Sequence, residues 1–138
     1  MQTHYPYTIE KDADGFLSVQ FLDLEEAFTQ GETLEEAASN AQEVLSALLA
    51  YRLEHNQDIP DPSPCPDHAY TVTPRSEVQA ALLVKNARGD RPLSELATAM
   101  DTSWPEAAKL ENPHHWPNLR QLDKAARALG KRLVLSLE

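Results

Sequence analysis

The chain has 138 residues, a mean hydropathy of −0.50 and a formal net charge of −10, from 22 acidic and 12 basic side chains. Its single cysteine, Cys65, and its short apolar stretches exclude an intrachain disulfide, a cysteine-pair metal clamp and a membrane-spanning helix. With no basic, apolar leader at the start, the sequence is typical of a soluble protein of the reducing cytoplasm.

The first part of the chain predicts a small sheet. Residues 5–9 and 17–21 alternate apolar and polar side chains, and residues 11–15 between them are turn formers, which indicates a hairpin. A short third strand is predicted around residues 27–31, ending at Gly31.

A long amphipathic helix is predicted over residues 33–56. Thr33 and Glu36 stand at the spacing of an N-terminal capping box. Apolar residues recur with helical spacing and are expected to face the sheet: Leu34, Ala37, Ala38, Ala41, Leu45, Leu48 and Leu49. Strands followed by one covering helix define an α+β fold with one face of the sheet packed.

Residues 59–68 contain four prolines and cannot continue a helix or a central strand. We interpret them as a stiff connector near a domain boundary. The alternative is a surface loop inside one domain, because residues 70–74 read as a strand that could return to the first sheet. We expect two domains, residues 1–74 and residues 75–138; domains this small often self-associate, so a homo-oligomer is expected.

The second part of the chain predicts four helices and a final strand. The first helix covers residues 76–88 and ends at Gly89, and the second covers residues 93–100, with Pro92 in its first turn. Asp101 occupies a tight turn before a third helix that starts at Ser103 and stops before Pro113. A fourth helix runs from the cap Asn118 to Gly130, and residues 131–137 alternate like a strand.

The negative charge is concentrated in one half. Residues 1–62 hold 13 acidic side chains against two basic ones, a net charge of −11, whereas residues 63–138 hold nine against ten, a net charge of +1. The acidic half suits a basic protein partner, and the near-neutral half can gather basic side chains against phosphate. Two modules with different partners are therefore indicated.

The second and third helices of the latter half have the spacing of a helix-turn-helix, with small Ala97 where the two helices cross. The side chains expected at base edges are Ser103, Trp104, Glu106 and Lys109. The side chains expected near the DNA backbone are Arg88, Arg91, His114 and His115, supported by Lys85, Arg120, Lys124 and Arg127. An ordinary helical hairpin with solvated side chains is the alternative, and Trp116 is expected in the core.

Catalysis and cofactors are not expected. Carboxylates near strand ends, such as Asp12, Asp14 and Asp23, resemble a Mg²⁺ site of a nuclease. Asp12 and Asp14, however, flank Gly15 in a turn, where aspartate serves local hydrogen bonding, and no base or nucleophile accompanies them. The histidines and Cys65 show no metal-ligand spacing.

Residues 14–45 resemble the N-terminal domain of HicB-type antitoxins, on Asp14-Gly15, on residues 29–33 and on Glu36-Ala37. The second half resembles the helix-turn-helix domain that many members append, on residues 128–131. Two departures are residues 22–26, where the family often has Pro-Asp-Leu-Pro-Gly, and Asp101, where glycine is commoner.

The resemblance implies a partial RNase H-like domain without nuclease activity, which neutralises a HicA-type toxin, a small basic mRNA-cleaving protein. It also implies a C-terminal domain that dimerises and represses the operon through operator DNA. The toxin contacts are expected among acidic side chains of the first half: Asp12, Asp14, Glu25, Glu26, Glu35 and Glu36. The alternative is a stand-alone transcription factor whose first domain senses a ligand.

Overall fold

A computed structural model describes residues 1–138 and divides them into two compact units, Gln2–Arg75 and Ser76–Glu138, the second together with Met1. The N-terminal unit contains the strands β1 (Tyr5–Lys11), β2 (Leu17–Phe21), β3 (Phe28–Gly31) and β4 (Tyr70–Val72) and the helix α1 (Leu34–Glu54). The C-terminal unit contains α2 (Ser76–Arg88), α3 (Leu93–Ala99), α4 (Trp104–Lys109) and α5 (Leu119–Ala128). None of the helices combines the length and apolar character that a membrane crossing needs.

The four strands form one antiparallel sheet in the order β3-β2-β1-β4. The register places Tyr7 opposite Phe21 on β2 and opposite Tyr70 on β4, and the centroid of the Tyr7 ring lies 5.4 Å and 5.7 Å from the centroids of these two rings. The predicted hairpin, the third strand and the α+β fold class are thereby confirmed. Side chains of the alternate register, such as Gln20 and Phe28, lie on the other face of the sheet and are exposed.

Helix α1 begins after Thr33, whose hydroxyl oxygen accepts the backbone N–H of Glu36 at 3.1 Å. Its buried residues are Ala37, Ala41, Leu45, Ser46, Leu49, Ala50 and Leu53. The prediction that Leu34 faces the sheet is wrong, because this side chain is 49% exposed. The helix first meets the sheet at Ala37, whose backbone nitrogen would lie 2.6 Å from a Cβ on Gly31, so Leu34 precedes the contact.

The proline-rich segment belongs to the N-terminal unit. The Tyr5 hydroxyl donates to the carbonyl of Pro60 at 2.7 Å, and the backbone N–H of Ser63 donates to a carboxylate oxygen of Asp23 at 2.8 Å. Beyond this segment, β4 returns to pair with β1. Residues 59–68 therefore form a loop within the sheet-containing unit, because the chain does not leave that unit until residue 75.

The C-terminal unit confirms the four predicted helices. Asp101 has a φ of +53° and Gly130 a φ of +71°, as the turn positions required. Asn118 and Gln121 form a complete capping box at the start of α5. The core is built largely from small and aliphatic residues: Val84, Leu96, Ala97, Met100, Ala107, Leu110, Ala125 and Leu129.

The predicted C-terminal strand is absent from the single chain. Residues 131–138 form no regular secondary structure, and the side chains of Val134, Leu135 and Leu137 are exposed. A strand is held by hydrogen bonds to a neighbouring strand, and none of the four strands of the chain pairs with this segment. The alternation of apolar and polar residues is present in the sequence, but it does not produce a strand within the single chain.

Candidate functional site

Helices α3 and α4 form a closely packed pair joined by a four-residue turn, Met100–Ser103. The backbone N–H of Thr102 donates to the carbonyl of Ala97 at 3.0 Å, which folds the turn back onto α3. The Ser103 hydroxyl accepts the N–H of Glu106 at 3.3 Å, so α4 starts at a defined residue. The buried side of α4 is Ala107 and Leu110, which are 0% and 3% exposed.

The four side chains expected at base edges are all exposed around α4. Ser103 and Trp104 lie at its first turn, and the Trp104 ring is 56% exposed. Glu106 and Lys109 follow on the exposed surface and form an ion pair at 2.9 Å, one helical turn apart. This pair is exposed at both ends, so it is weak and can be exchanged for contacts with a ligand.

Arg88 and Arg91, expected near the DNA backbone, both make intramolecular hydrogen bonds, although Arg88 is half-buried and Arg91 is exposed. Arg88 donates through Nε and Nη2 to both carboxylate oxygens of Glu111, at 2.6 and 2.9 Å. The hydrogen bond to Glu111 raises the pKa of Arg88, and partial burial opposes this only in part. Arg91 donates to the carbonyls of Ala87, at 3.0 Å, and Leu129, at 3.5 Å.

The loop after α4 presents the two histidines. The backbone N–H of His114 donates to the side chain of Asn112 at 2.9 Å, and the His114 side chain is exposed while His115 is half-buried. Trp116 is 68% exposed, so the expectation that it fills the core is wrong. Pro113 is the buried residue of this loop, because the hydrogen-bonded turn at Asn112 directs it inward.

The six acidic residues expected to contact the toxin fall into two groups at opposite ends of the sheet. Asp12 and Asp14 lie in the β1–β2 turn, and Leu17 after that turn pairs with Gly31, two residues before the cap of α1. The first turn of α1, which carries Glu35 and Glu36, is therefore at the same end. Glu25 and Glu26 lie in the β2–β3 connection at the other end, where Glu26 pairs with Arg52, about 25 Å along α1 from Glu35.

The two groups differ in how far their charges are engaged. Glu26 accepts a hydrogen bond from Arg52 at 2.8 Å, which offsets its charge. Asp12 accepts the backbone N–H groups of Asp14 and Phe16, both at 2.9 Å, through one oxygen and so shapes the hairpin turn. Asp14, Glu35 and Glu36 are exposed around this turn and the start of α1, and no ion pair is observed for any of the three.

No group of three or more His, Cys, Asp or Glu side chains in residues 1–138 is arranged to hold a metal ion. Asp12 and Asp23, raised above as parts of a nuclease site, instead anchor the hairpin turn and the proline-rich loop. Cys65 is exposed and free.

Comparisons with known proteins define the class. Residues 4–74 match the family model of the HicB-like antitoxin of bacterial toxin–antitoxin systems. Antitoxin HicB of Escherichia coli strain K12 is 35% identical over 133 residues, which cover 95% of this chain and 96% of that protein. Antitoxin HicB 1 of Photorhabdus laumondii is 35% identical over 136 residues, covering 97% of this chain and 86% of that protein.

One solved structure is also similar. It is the N-terminal domain of the antitoxin HicB of Burkholderia pseudomallei, at 22% identity and a TM-score of 0.41, covering 44% of this chain and 73% of that one.

The relatives that match almost the whole chain are antitoxins, which are regulatory proteins and not enzymes. The chain belongs to the HicB-like antitoxin family. Of the two functions considered from the sequence, an antitoxin of a toxin–antitoxin pair is thus supported over a stand-alone transcription factor.

Proposed function

We propose that the chain neutralises a HicA-type mRNA-cleaving toxin through residues 1–74 and represses its own operon by binding operator DNA as a dimer through residues 75–138. The observation that carries the proposal is the division of charge between the two compact units. The unit Gln2–Arg75 holds 14 acidic and three basic side chains, and Ser76–Glu138 holds eight and nine. The first net charge, −11, attracts a basic protein, and the second, +1, does not repel DNA.

The toxin-binding surface is proposed at the end of the sheet where the β1–β2 turn meets the start of α1. Asp14, Glu35 and Glu36 are exposed there. Carboxylates in such a cluster imitate the phosphates of RNA and steer a basic ribonuclease onto the antitoxin. The hairpin and helix then block the RNA-binding surface of the toxin by occupying it. Glu25 and Glu26 at the opposite end contribute to the overall field.

Two matched charge reversals test the position of this surface. At low salt, the double variant Glu35→Lys with Glu36→Lys is expected to weaken toxin affinity more than Glu25→Lys with Glu26→Lys. Only the first pair lies at the proposed toxin-binding end of the sheet. Calorimetric titration with the purified toxin at low and high salt measures both effects. Equal affinities for the parent and both double variants at low salt would contradict electrostatic steering through these residues.

The operator-binding surface is proposed on α4, acting as the recognition helix of a helix-turn-helix. Lys109 is suited to guanine or phosphate, and Glu106 to the amino group of cytosine. Lys109→Ala is expected to weaken operator binding by about 1–3 kcal/mol if it reads a base. A gel-shift titration against the promoter of the operon measures this, with Glu43→Gln on α1 as the control that leaves operator affinity unchanged.

The dimer is proposed to form through residues 131–138, which form no regular secondary structure in their own chain. Antiparallel pairing of two copies centred on Leu135 places Arg132 opposite Glu138 of the second copy and Leu133 opposite Leu137. One face of the ribbon is then leucine, and the other carries opposite charges at both ends. Such a dimer presents two α4 helices to a palindromic operator, with half-sites about one helical turn apart.

Deletion of residues 131–138 is expected to give a monomer with weak operator binding, and Leu135→Asp to do the same by placing two carboxylates face to face. Size-exclusion chromatography with light scattering measures the mass. An intact dimer after the deletion would refute this assignment. The proposal as a whole is tested by searching the neighbouring genes for a small basic protein and co-expressing it with this chain. Growth rescue and co-purification support the proposal, and continued toxicity contradicts it.

A further inference from the structure

We propose that Arg88 and Glu111 together position α4 for operator reading, and that Arg88 acts through Glu111 without touching phosphate. This inference rests on the proposed DNA-binding function. It concerns two residues outside α4 itself, one at the end of α2 and one directly after the C-cap of α4, Leu110. They are 23 residues apart in the chain and meet only in the folded unit.

All three guanidinium nitrogens of Arg88 donate hydrogen bonds within the fold. Nε and Nη2 bind the two carboxylate oxygens of Glu111, and Nη1 donates to the carbonyl of Arg91 at 2.5 Å. The side chains of Arg88 and Glu111 are only 16% and 9% exposed. An arginine with its nitrogens engaged and its side chain largely covered has little left to offer a phosphate.

The contact joins three parts of the unit at one point: the end of α2, the α2–α3 loop and the residue after α4. A two-bond arginine–carboxylate pair fixes orientation as well as distance, because both groups are planar. The side-chain hydrogen bonds of Ser103 with Glu106 and of Glu106 with Lys109 lie within α4 and do not orient it against the rest of the unit. Ala107 and Leu110 pack α4 against the core, and the paired hydrogen bonds of Glu111 add the directional contact that fixes how this six-residue helix points.

The two roles of Arg88 predict opposite signs for a change at Glu111. If Arg88 were a phosphate contact, Glu111→Gln would remove a negative charge beside it, leave its guanidinium freer and tighten DNA binding. If the pair positions α4, Glu111→Gln loosens the helix and weakens operator binding although the protein becomes less negative. Loss of a phosphate contact also lowers the dependence of binding on salt by about one counterion, whereas loss of positioning does not.

The experiment measures the affinity of the full chain for operator and for non-operator duplexes of equal length across a salt series. Arg88→Lys, which keeps the charge but not the paired geometry, and Glu111→Gln are each expected to weaken operator binding by about tenfold. Non-operator affinity and the salt slope should stay unchanged, and the double variant should be no worse than either single one. The matched control is Glu43→Gln, which breaks the exposed ion pair with Arg75 in the N-terminal unit and should change nothing.

Each outcome is decisive. Tighter DNA binding by Glu111→Gln makes Arg88 a phosphate contact and overturns the proposal. So does a salt slope reduced by about one in a further variant, Arg88→Ala, which removes the charge. A similar loss for operator and non-operator DNA, with a lower melting temperature, assigns the pair a purely structural role and overturns it too. If the unmodified chain does not bind its operator, the proposed DNA-binding function itself is wrong. This result is distinguishable from failure of the positioning role, because the unmodified chain is measured before any variant.

Discussion

The two units of the chain are stabilised by different kinds of core. In the N-terminal unit, aromatic and long aliphatic side chains such as Tyr5, Phe21 and Leu45 fill the space between one helix and a sheet. In the C-terminal unit, Ala97, Ala107 and Ala125 allow short helices to approach closely. The first core is therefore sensitive to loss of volume and the second to gain of volume, since cavities and overpacking both cost free energy.

The units also differ in how their charges are used. In the N-terminal unit the cations Arg52 and Arg75 pair with Glu26 and Glu43, and most of the acidic side chains remain in excess. In the C-terminal unit the charges are nearly balanced, and the most buried ion pair, Arg88 with Glu111, lies inside the fold. The excess negative charge of the N-terminal unit is available to a partner, whereas charged side chains of the C-terminal unit form ion pairs within that unit.

The largest expected effect is the truncation Leu45→Ala in the N-terminal core. The Leu45 side chain is completely buried, so its removal should lower the free energy of unfolding by about 4 kcal/mol. Leu34→Ala on the same helix is the control and should cost less than about 1 kcal/mol, because its side chain is half exposed. Urea unfolding measures both. Similar losses for the two variants would contradict the sheet contact proposed to start at Ala37.

Gly31→Ala should lower the free energy of unfolding nearly as much. In a unit otherwise sensitive to loss of side-chain volume, this position would be the exception that is sensitive to added volume. An added Cβ would lie 2.6 Å from the backbone nitrogen of Ala37, and backbone cannot rotate away, so we expect a loss of about 3 kcal/mol. Gly130→Ala is the control. It meets no atom within 4 Å but holds a φ of +71°, and should cost about 1 kcal/mol by thermal unfolding. A reversed order would mean that backbone strain outweighs the steric clash.

Ala107→Leu is expected to disrupt the C-terminal unit. Ala107 is fully buried on α4 in a core of small residues, and the larger side chain should cost about 2 kcal/mol by overpacking. Ala99→Leu, at an exposed position of α3, should change stability by no more than about 0.5 kcal/mol. Hydrogen exchange should localise the loss to residues 76–138. A neutral Ala107→Leu would show that this core has room, against the comparison drawn above.

The smallest expected effect is an alkaline loss of stability specific to the N-terminal unit. Burial, and then the charges of Asp61 and Asp23, raise the pKa of Tyr5 from 10.0 to about 12. Because the folded state holds this proton more tightly than the unfolded state, the stabilisation is complete below pH 10 and is lost as the pH rises toward 12.

Tyr5→Phe removes the ionisable group and the hydrogen bond to Pro60. We expect it to cost about 1 kcal/mol at neutral pH and to flatten the decline between pH 10 and 12, measured by urea unfolding at each pH. Burial also raises the pKa of Tyr7, so part of the decline should remain. An unaltered decline in Tyr5→Phe would assign it to other groups.

Much of the candidate site could be predicted from the sequence, but its electrostatic partners could not. The capping-box spacing of Ser103 and Glu106 predicted the start of α4. The helical spacing of the apolar residues predicted that Trp104 and Lys109 are exposed. The engagement of Arg88 by Glu111 had no sequence signal, because the two residues are 23 positions apart and belong to no recurrent motif. A basic residue at the end of a helix gives the same local sequence pattern whether its side chain faces solvent or a carboxylate.

What the sequence determined by itself is local: the caps at Thr33, Ser103 and Asn118, the positive φ at Asp101, and the apolar periods that define the helices and strands. Each of these depends on residues within one or two turns, whose preferences are written into the neighbouring side chains. Only the tertiary structure decided that Leu34 and Trp116 are exposed, that β4 returns to β1, and that residues 131–138 find no strand within their own chain. These outcomes depend on which surfaces pack together although they are far apart in the sequence. The periodicity of apolar residues predicts that a face is apolar, but it does not predict which segment covers that face.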